Sequence, residues 1–216
     1  MKEQKTITLA LTGASGIVYG LRLLECLLAR GHRVYLLMST PAQVVMSMET
    51  DIQVKGSAAE LQRCFSARYG PRPGQLQVLG KEQWTAPIAS GSSAPDAMVV
   101  CPCTSGTLAA IACGTSDNLL ERAADVMLKE RRPLILVPRE MPLSAIHLEH
   151  MLSLSRLGAV IMPACPGFYH RPQDIAGLVD FVVARILDHL GVEHDLVPRW
   201  GVQKTEDGGQ QTEGGK

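Results

Sequence analysis

The residues of this chain best suited to chemistry stand at the ends of apolar runs. Gly13-Ala14-Ser15-Gly16 follows the alternating run Ile7–Leu11, and Ile17, Leu21, Leu24 and Leu28 recur after it at helical spacing. Strand, small-residue turn and helix start together suit a phosphate. Glycine lets the backbone come close, free N–H groups at the helix start favour negative charge, and Ser15 adds a hydroxyl donor. Thr104-Ser105-Gly106-Thr107 repeats this pattern soon after the run Ala97–Cys101. Ordinary N-capping explains such hydroxyls equally well. Ser39 ends the run Val34–Met38, and Pro138-Arg139-Glu140 ends Leu134–Val137. The first turn is Gly-x-x-Gly, so the dinucleotide fingerprint Gly-x-Gly-x-x-Gly is incomplete.

Further charged and aromatic residues lie outside these turns. Arg122 and Lys129, seven residues apart on a helix expected over Leu119–Arg131, share one face; a solvated charged face is the usual reason for such a pair. Arg185 flanks the apolar stripe Ile175, Leu178, Val182, Ile186 of a helix capped by Asp174. A cation there either meets an anion or a partner subunit, or snorkels to solvent. Glu49 ends a helix expected from Ser39 to Thr50, and Tyr169 stands in the loop 163–172. The stretch 66–95 shows little periodicity apart from a strand near Leu76–Leu79. It carries Trp84 and the run Ala89-Ser90-Gly91-Ser92-Ser93, which reads as a binding loop.

Strands alternating with helices along most of the chain predict one doubly wound parallel α/β sheet over 1–200, Rossmann-like or flavodoxin-like, with 201–216 as a disordered polar tail. A formal net charge of zero gives no reason to expect nucleic acid or an anionic membrane surface, and no apolar run is long enough to span a bilayer. The start MKEQKT leads straight into a strand, with no signal-peptide pattern. The six cysteines form no Cys-x-x-Cys pair and several lie in apolar runs, so a reduced cytoplasmic protein without a metal site is the expectation.

Three families share features of this pattern. Thr12-Gly13-Ala14-Ser15-Gly16 looks like the entrance of a short-chain dehydrogenase. None of Tyr19, Tyr35, Tyr69 or Tyr169 is followed by Lys four residues on, however, and that chemistry needs Tyr-x-x-x-Lys. The flavin-containing cysteine decarboxylases resemble the chain in their strand-turn-helix starts, but their Pro-x-Met-Asn-x-x-Met-Trp clamp is missing. From about Ile7 to Trp200 the chain resembles the UbiX flavin prenyltransferases. The matching stretches are TGASG with Tyr19-Gly20, Glu49-Thr50-Asp51, ASGSS, CPC with Thr104 to Leu108, ERAADVMLKERRPLILVPRE, GAVIMPACPGFYHRPQ and the Arg185 helix.

The resemblance implies that dimethylallyl monophosphate alkylates reduced FMN at N5 and then at C6, and that the prenylated FMN passes to a UbiD-type decarboxylase. It assigns FMN to Gly13, Ala14, Ser15, Ser39, Thr104, Ser105, Gly106, Thr107 and Arg139. It assigns the prenyl phosphate to Arg122, Lys129, Tyr169 and Arg185, with Glu140 among these cations. Glu49 and Glu140 become candidates for proton handling, and Ser15 joins the catalytic set. Trp84 and Trp200, with Ala89 and Ser90, are expected to wall the prenyl pocket, where π faces tolerate a developing cation. The resemblance also implies a homo-oligomer, commonly a dodecamer, with sites built between subunits.

Overall fold

A computed structural model describes residues 4–54 and 56–199 of the chain; Trp200 and the tail 201–216 lie outside them. Six strands, β1 (Thr6–Leu11), β2 (Arg33–Met38), β3 (Leu76–Leu79), β4 (Ala97–Cys103), β5 (Leu134–Pro138) and β6 (Val160–Ile161), form one sheet in the order β3-β2-β1-β4-β5-β6. Every pairing is parallel. The helices are α1 (Ile17–Ala29), α2 (Thr40–Glu49), α3 (Ala58–Tyr69), α4 (Ser105–Cys113), α5 (Leu119–Lys129), α6 (Ala145–Arg156) and α7 (Ile175–Leu190). This is the doubly wound α/β architecture that the alternation of periods predicts.

Alternation along each strand sends side chains into two cores. Ile7, Leu9 and Leu11 of β1 pack with Leu23, Leu24 and Leu27 of α1 and with Val183, Ile186 and Leu187 of α7. Ala10, Met98, Val100 and Leu136 face the other way, toward Leu120, Ala124 and Met127 of α5. Most of these side chains are fully buried, and at about 25 cal/mol per Å² of apolar area such burial is the main stabilising term. The strand order turns back between β1 and β4, and the turns that follow these two strands diverge to opposite faces. A doubly wound sheet opens its ligand crevice at this point.

Several boundaries differ from the sequence expectation. β4 continues past Cys101 to Cys103 through Pro102. The proline has no N–H to give, and the β4–β5 register shifts between Val100 and Cys103, which accommodates it. The stretch taken as irregular from Ser66 begins inside α3, which runs to Tyr69 and ends at Gly70 with φ 54°. Only Leu61 and Phe65 are buried on α3, a stripe too narrow to show as a period, but the Ser57/Glu60 capping box marks its start. The apolar run Ala159–Met162 predicts a longer last strand, but β6 spans only Val160–Ile161, because only those residues pair with Ile135 and Leu136.

Candidate functional site

The crevice between β1 and β4 is built by hydrogen bonds that tie neighbouring turns together. Ser39 N donates to Leu11 O at 3.0 Å, and the Ser39 hydroxyl accepts from Ala42 N at 3.2 Å as the cap of α2. A Cβ at Gly13 would run into the ring of Pro41, so only glycine lets the first turn lie against the start of α2. Arg139, whose N donates to Cys103 O at 3.4 Å, reaches across with Nε to Ser15 O at 3.1 Å. Thr104 caps α4 by accepting from Thr107 N at 3.1 Å, with Thr107 Oγ1 at 2.9 Å. The ends of β1, β2, β4 and β5 thus bring Gly13, Ala14, Ser15, Ser39, Thr104, Ser105, Gly106, Thr107 and Arg139 to one edge of the sheet.

The start of α1 is not open to an anion in the way its sequence suggests. The Glu49 carboxylate, arriving from the end of α2, accepts from Gly16 N at 2.9 Å and from Ile17 N at 3.0 Å. Gly16 itself sits at φ 100°, a conformation that suits glycine. The first turn of α4 is different. Thr107 N is used by the cap, while the Ser105 and Gly106 amides precede the first internal helical bond. A Cβ at Gly106 would meet no atom closer than 4.0 Å, so a ligand can approach this backbone closely. Next to it, Ser39, Thr40, Pro41, Thr107, Asn118 and Glu121 line a cleft. Asn118 and Glu121 were not singled out from sequence, although Asn-x-x-Glu ahead of an apolar run is a capping signature. Asn118 accepts from Glu121 N at 3.1 Å, and its Nδ2 donates to Glu121 Oε1 at 2.7 Å.

A second locus lies on the outer face of α5. Arg122 donates through Nε to Ala89 O at 3.1 Å and pairs with Asp125 at 2.6 Å. Lys129 pairs with Glu130, whose carboxyl it holds below the ordinary carboxylate range. The turns Pro87–Ala89 and Gly91–Ser93 run alongside, and the Ser90 and Ser92 hydroxyls are 3.1 Å apart. Ala89 and Ser90 therefore stand beside Arg122. Trp84 precedes them in a turn and is 45% exposed.

Tyr169 meets the Phe181 ring edge-on at 5.6 Å. Arg185 is exposed and pairs with Asp188 at 2.7 Å, on the α7 turn next to His194 and Arg199. Glu140 accepts from its own Met141 N at 3.2 Å.

Glu140 was expected among Arg122, Lys129 and Arg185, but among the described residues no ion pair links it to any of them. The sheet is the reason. Helix α5 covers one face and α7 the other; Lys129 ends α5 shortly before β5 begins at Leu134, and Arg185 lies in the second half of α7, whose Leu190 O accepts from Lys5 Nζ at 2.5 Å just ahead of β1. Cys101 and Cys103 belong to the core: burial pushes both thiols up, Cys103 to about 12, which leaves them protonated and unreactive. Among the described residues no group of three or more His, Cys, Asp or Glu is arranged to hold a metal ion.

Residues 1–187 match the family model described as Flavoprotein. The flavin prenyltransferase UbiX of Pseudomonas aeruginosa is 58% identical over 203 residues, 94% of this chain and 97% of its own. The chain belongs to the UbiX flavin prenyltransferase family. Among solved structures, AnUbiX in complex with FMN and dimethylallyl pyrophosphate is 38% identical with a TM-score of 0.83, covering 94% of this chain and 100% of that one. A dodecameric FMN-dependent UbiX-like decarboxylase from Escherichia coli O157:H7 is 40% identical with a TM-score of 0.80, covering 90% and 98%. Hydroxyls, amides and one guanidinium at the β1–β4 edge are the donor set a flavin phosphate monoester requires, so the residues present fit FMN.

Proposed function

We propose that this chain is a flavin prenyltransferase that joins the dimethylallyl group of dimethylallyl monophosphate to N5 and C6 of reduced FMN, for use by a UbiD-type decarboxylase. The meeting of four strand ends at one edge carries this reading, because it places small-residue turns, hydroxyls and Arg139 around one crevice. FMN, when bound there, supplies the nucleophilic nitrogen and carbon. The chain's own part is positional and electrostatic. Gly13, Ala14, Ser15, Ser39 and the 104–107 turn hold and orient the flavin, and Arg139 braces the first turn through Ser15 O. Ser15 keeps a hydroxyl at the mouth, where it can relay a proton.

Phosphate departure from an allylic carbon needs cations at the leaving oxygens. Arg122, Lys129 and Arg185 take that task, with Tyr169 as a hydroxyl donor. Trp84 walls the prenyl chain; Trp200, expected to share that task, lies outside the described residues. Lys129 and Arg185 lie on opposite faces of one sheet, so a homo-oligomer, of the dodecameric kind, brings cations of different copies to one phosphate. Among the described residues no ion pair engages Glu140, so its carboxylate is available to a neighbouring copy's cation. Glu49 combines the cap of α1 with proton handling. None of the described helices is long and apolar enough to cross a membrane, and a cytoplasmic site of action fits the reduced thiols.

The test is incubation of the protein with reduced FMN and dimethylallyl monophosphate under anaerobic conditions, followed by mass spectrometry of the released flavin. A gain of one isoprene unit is expected. An unchanged flavin mass would overturn the proposal.

A further inference from the structure

The regular β1–β4 ladder ends at the pair Ala10↔Val100, yet both ligand-binding turns lie beyond it. One side chain continues the connection. Thr12 is 1% exposed, its N donates to Pro102 O at 3.2 Å, and its Oγ1 donates to the same oxygen at 2.7 Å. The same Oγ1 accepts from Thr104 N at 2.8 Å. Thr104 in turn caps α4. A hydroxyl offers one proton and two lone pairs, and here it donates once and accepts once across the crevice floor.

We propose that Thr12 is a positioning residue, whose hydroxyl sets the distance between the Gly13–Ser15 turn and the Thr104–Thr107 turn and so sets FMN affinity. This rests on the assignment of FMN to those two turns. The physical reason is that a valine of the same shape keeps the packing but leaves the Thr104 N–H without its acceptor. A buried unsatisfied group forces the turn to move or the structure to carry the cost.

The chain contains its own control. Thr8, in β1, is 0% exposed and its Oγ1 has no hydrogen-bond partner among the described residues. Thr8→Val therefore makes the same change at equal burial with no bond lost, and is expected to be at least as stable as the wild type.

The experiment measures FMN affinity by fluorescence quenching, and the visible circular dichroism of bound flavin, for wild type, Thr12→Val, Thr12→Ser and Thr8→Val. Wild type is expected to bind FMN. Thr12→Val should bind roughly tenfold more weakly with an altered flavin band, Thr12→Ser should recover both, and Thr8→Val should match wild type within about twofold. If Thr12→Val does not accumulate folded, Thr12→Ala, which also lacks the hydroxyl, takes its place. Equal affinity and spectra for Thr12→Val and wild type would overturn the positioning role alone, as would an equal loss in Thr8→Val or no recovery in Thr12→Ser. Failure of the wild type to bind FMN would instead overturn the assignment of FMN to these turns, and the positioning role with it.

Discussion

Glu49 Oε2 accepts from the Gly16 amide at 2.9 Å, joining the last residue of α2 to the cap of α1 across 33 residues of sequence. The turn taken from sequence as an open anion site thus already carries an anion of the chain's own. A carboxylate there satisfies orphan amides and complements the helix dipole. Glu49→Ala is expected to destabilise the fold by about 1–2 kcal/mol, and Glu49→Gln, which keeps an acceptor oxygen, by less. Urea denaturation of both variants checks the order. If Glu49→Gln loses turnover while keeping wild-type stability, the carboxylate serves chemistry as well as the cap.

Close approach makes a second expectation. A Cβ at Gly13 would run into the Pro41 ring, with Pro41 C a further 3.1 Å contact. The ring is rigid, so the first turn must shift away from α2. Gly13→Ala should cost about 1–3 kcal/mol as an overpacking change and weaken FMN binding, because Ser39 and Ser15 move apart. Thermal unfolding and flavin titration measure the two effects. Wild-type values in both would show that the turn has slack the geometry does not suggest.

The parts legible in the sequence were those with a period. β1, β2, β5 and the starts of α2, α4 and α7 follow from alternation, helical spacing and capping residues, each a local property. Thr12 was invisible because a threonine ending a strand carries no pattern; its partners Pro102 and Thr104 are 90 and 92 residues away. Glu49 was legible as a carboxylate but not as a cap, for the same reason. Arg122 and Lys129 were placed on one helix face, which the structure reproduces. That Lys129 and Arg185 stand on opposite faces of the sheet depends on which way each crossover goes, and side-chain spacing within one helix does not encode that.

Stability should depend on His32 at mildly acidic pH. His32 is 8% exposed and accepts from Lys5 N through Nδ1 at 3.2 Å. Burial, with Lys5 and Arg30 nearby, holds its pKa below the ordinary 6.5. The unfolded chain then binds the proton more readily than the folded one. Its contribution is complete above pH 6.5 and is lost as pH falls from 6.5 toward the lowered folded value. Asp51, held low by its hydrogen bond to Arg68, acts in a separate window, with stability lost only below about its ordinary 3.8. Urea midpoints between pH 5 and 8 should fall below pH 6.5 in wild type and fall less in His32→Gln. Parallel curves would remove His32 as the cause.

The cations assigned to phosphate should separate from those around the flavin. Arg122 is bound to Ala89 O and Asp125, and Arg185 to Asp188, so these bonds go to groups other than the turns assigned to FMN. Arg122→Ala, Lys129→Ala and Arg185→Ala are each expected to keep FMN affinity and to lose about 2–4 kcal/mol of transition-state stabilisation, by analogy with removal of an oxyanion donor. Flavin titration and single-turnover rates, measured on the same preparations, test this. Equal losses of affinity and rate in all three would contradict the division. Mixing Lys129→Ala with Arg185→Ala chains and reassembling them adds a sharper check, since sites shared between copies regain activity only in mixed assemblies.

Glu140 separates prenyl transfer from simple flavin storage. It follows Arg139 at the end of β5, is exposed, and its recorded contact within the chain is with Met141 N. An exposed carboxylate beside the crevice can turn toward a developing allylic cation or accept a proton through the substrate phosphate. Glu140→Gln keeps the shape and the acceptor for Met141 N while removing the charge. It should therefore bind FMN and fold as wild type does, yet stall after attachment at N5, before the carbon–carbon bond to C6 closes the ring. Mass spectrometry and absorbance of the flavin, sampled over time, distinguish a singly attached prenyl flavin from the cyclised product by spectrum at equal mass. Accumulation of the uncyclised species supports a catalytic carboxylate. Wild-type rate and yield of the cyclised flavin would leave Glu140 with no part in the chemistry and assign proton handling to Glu49 and Ser15.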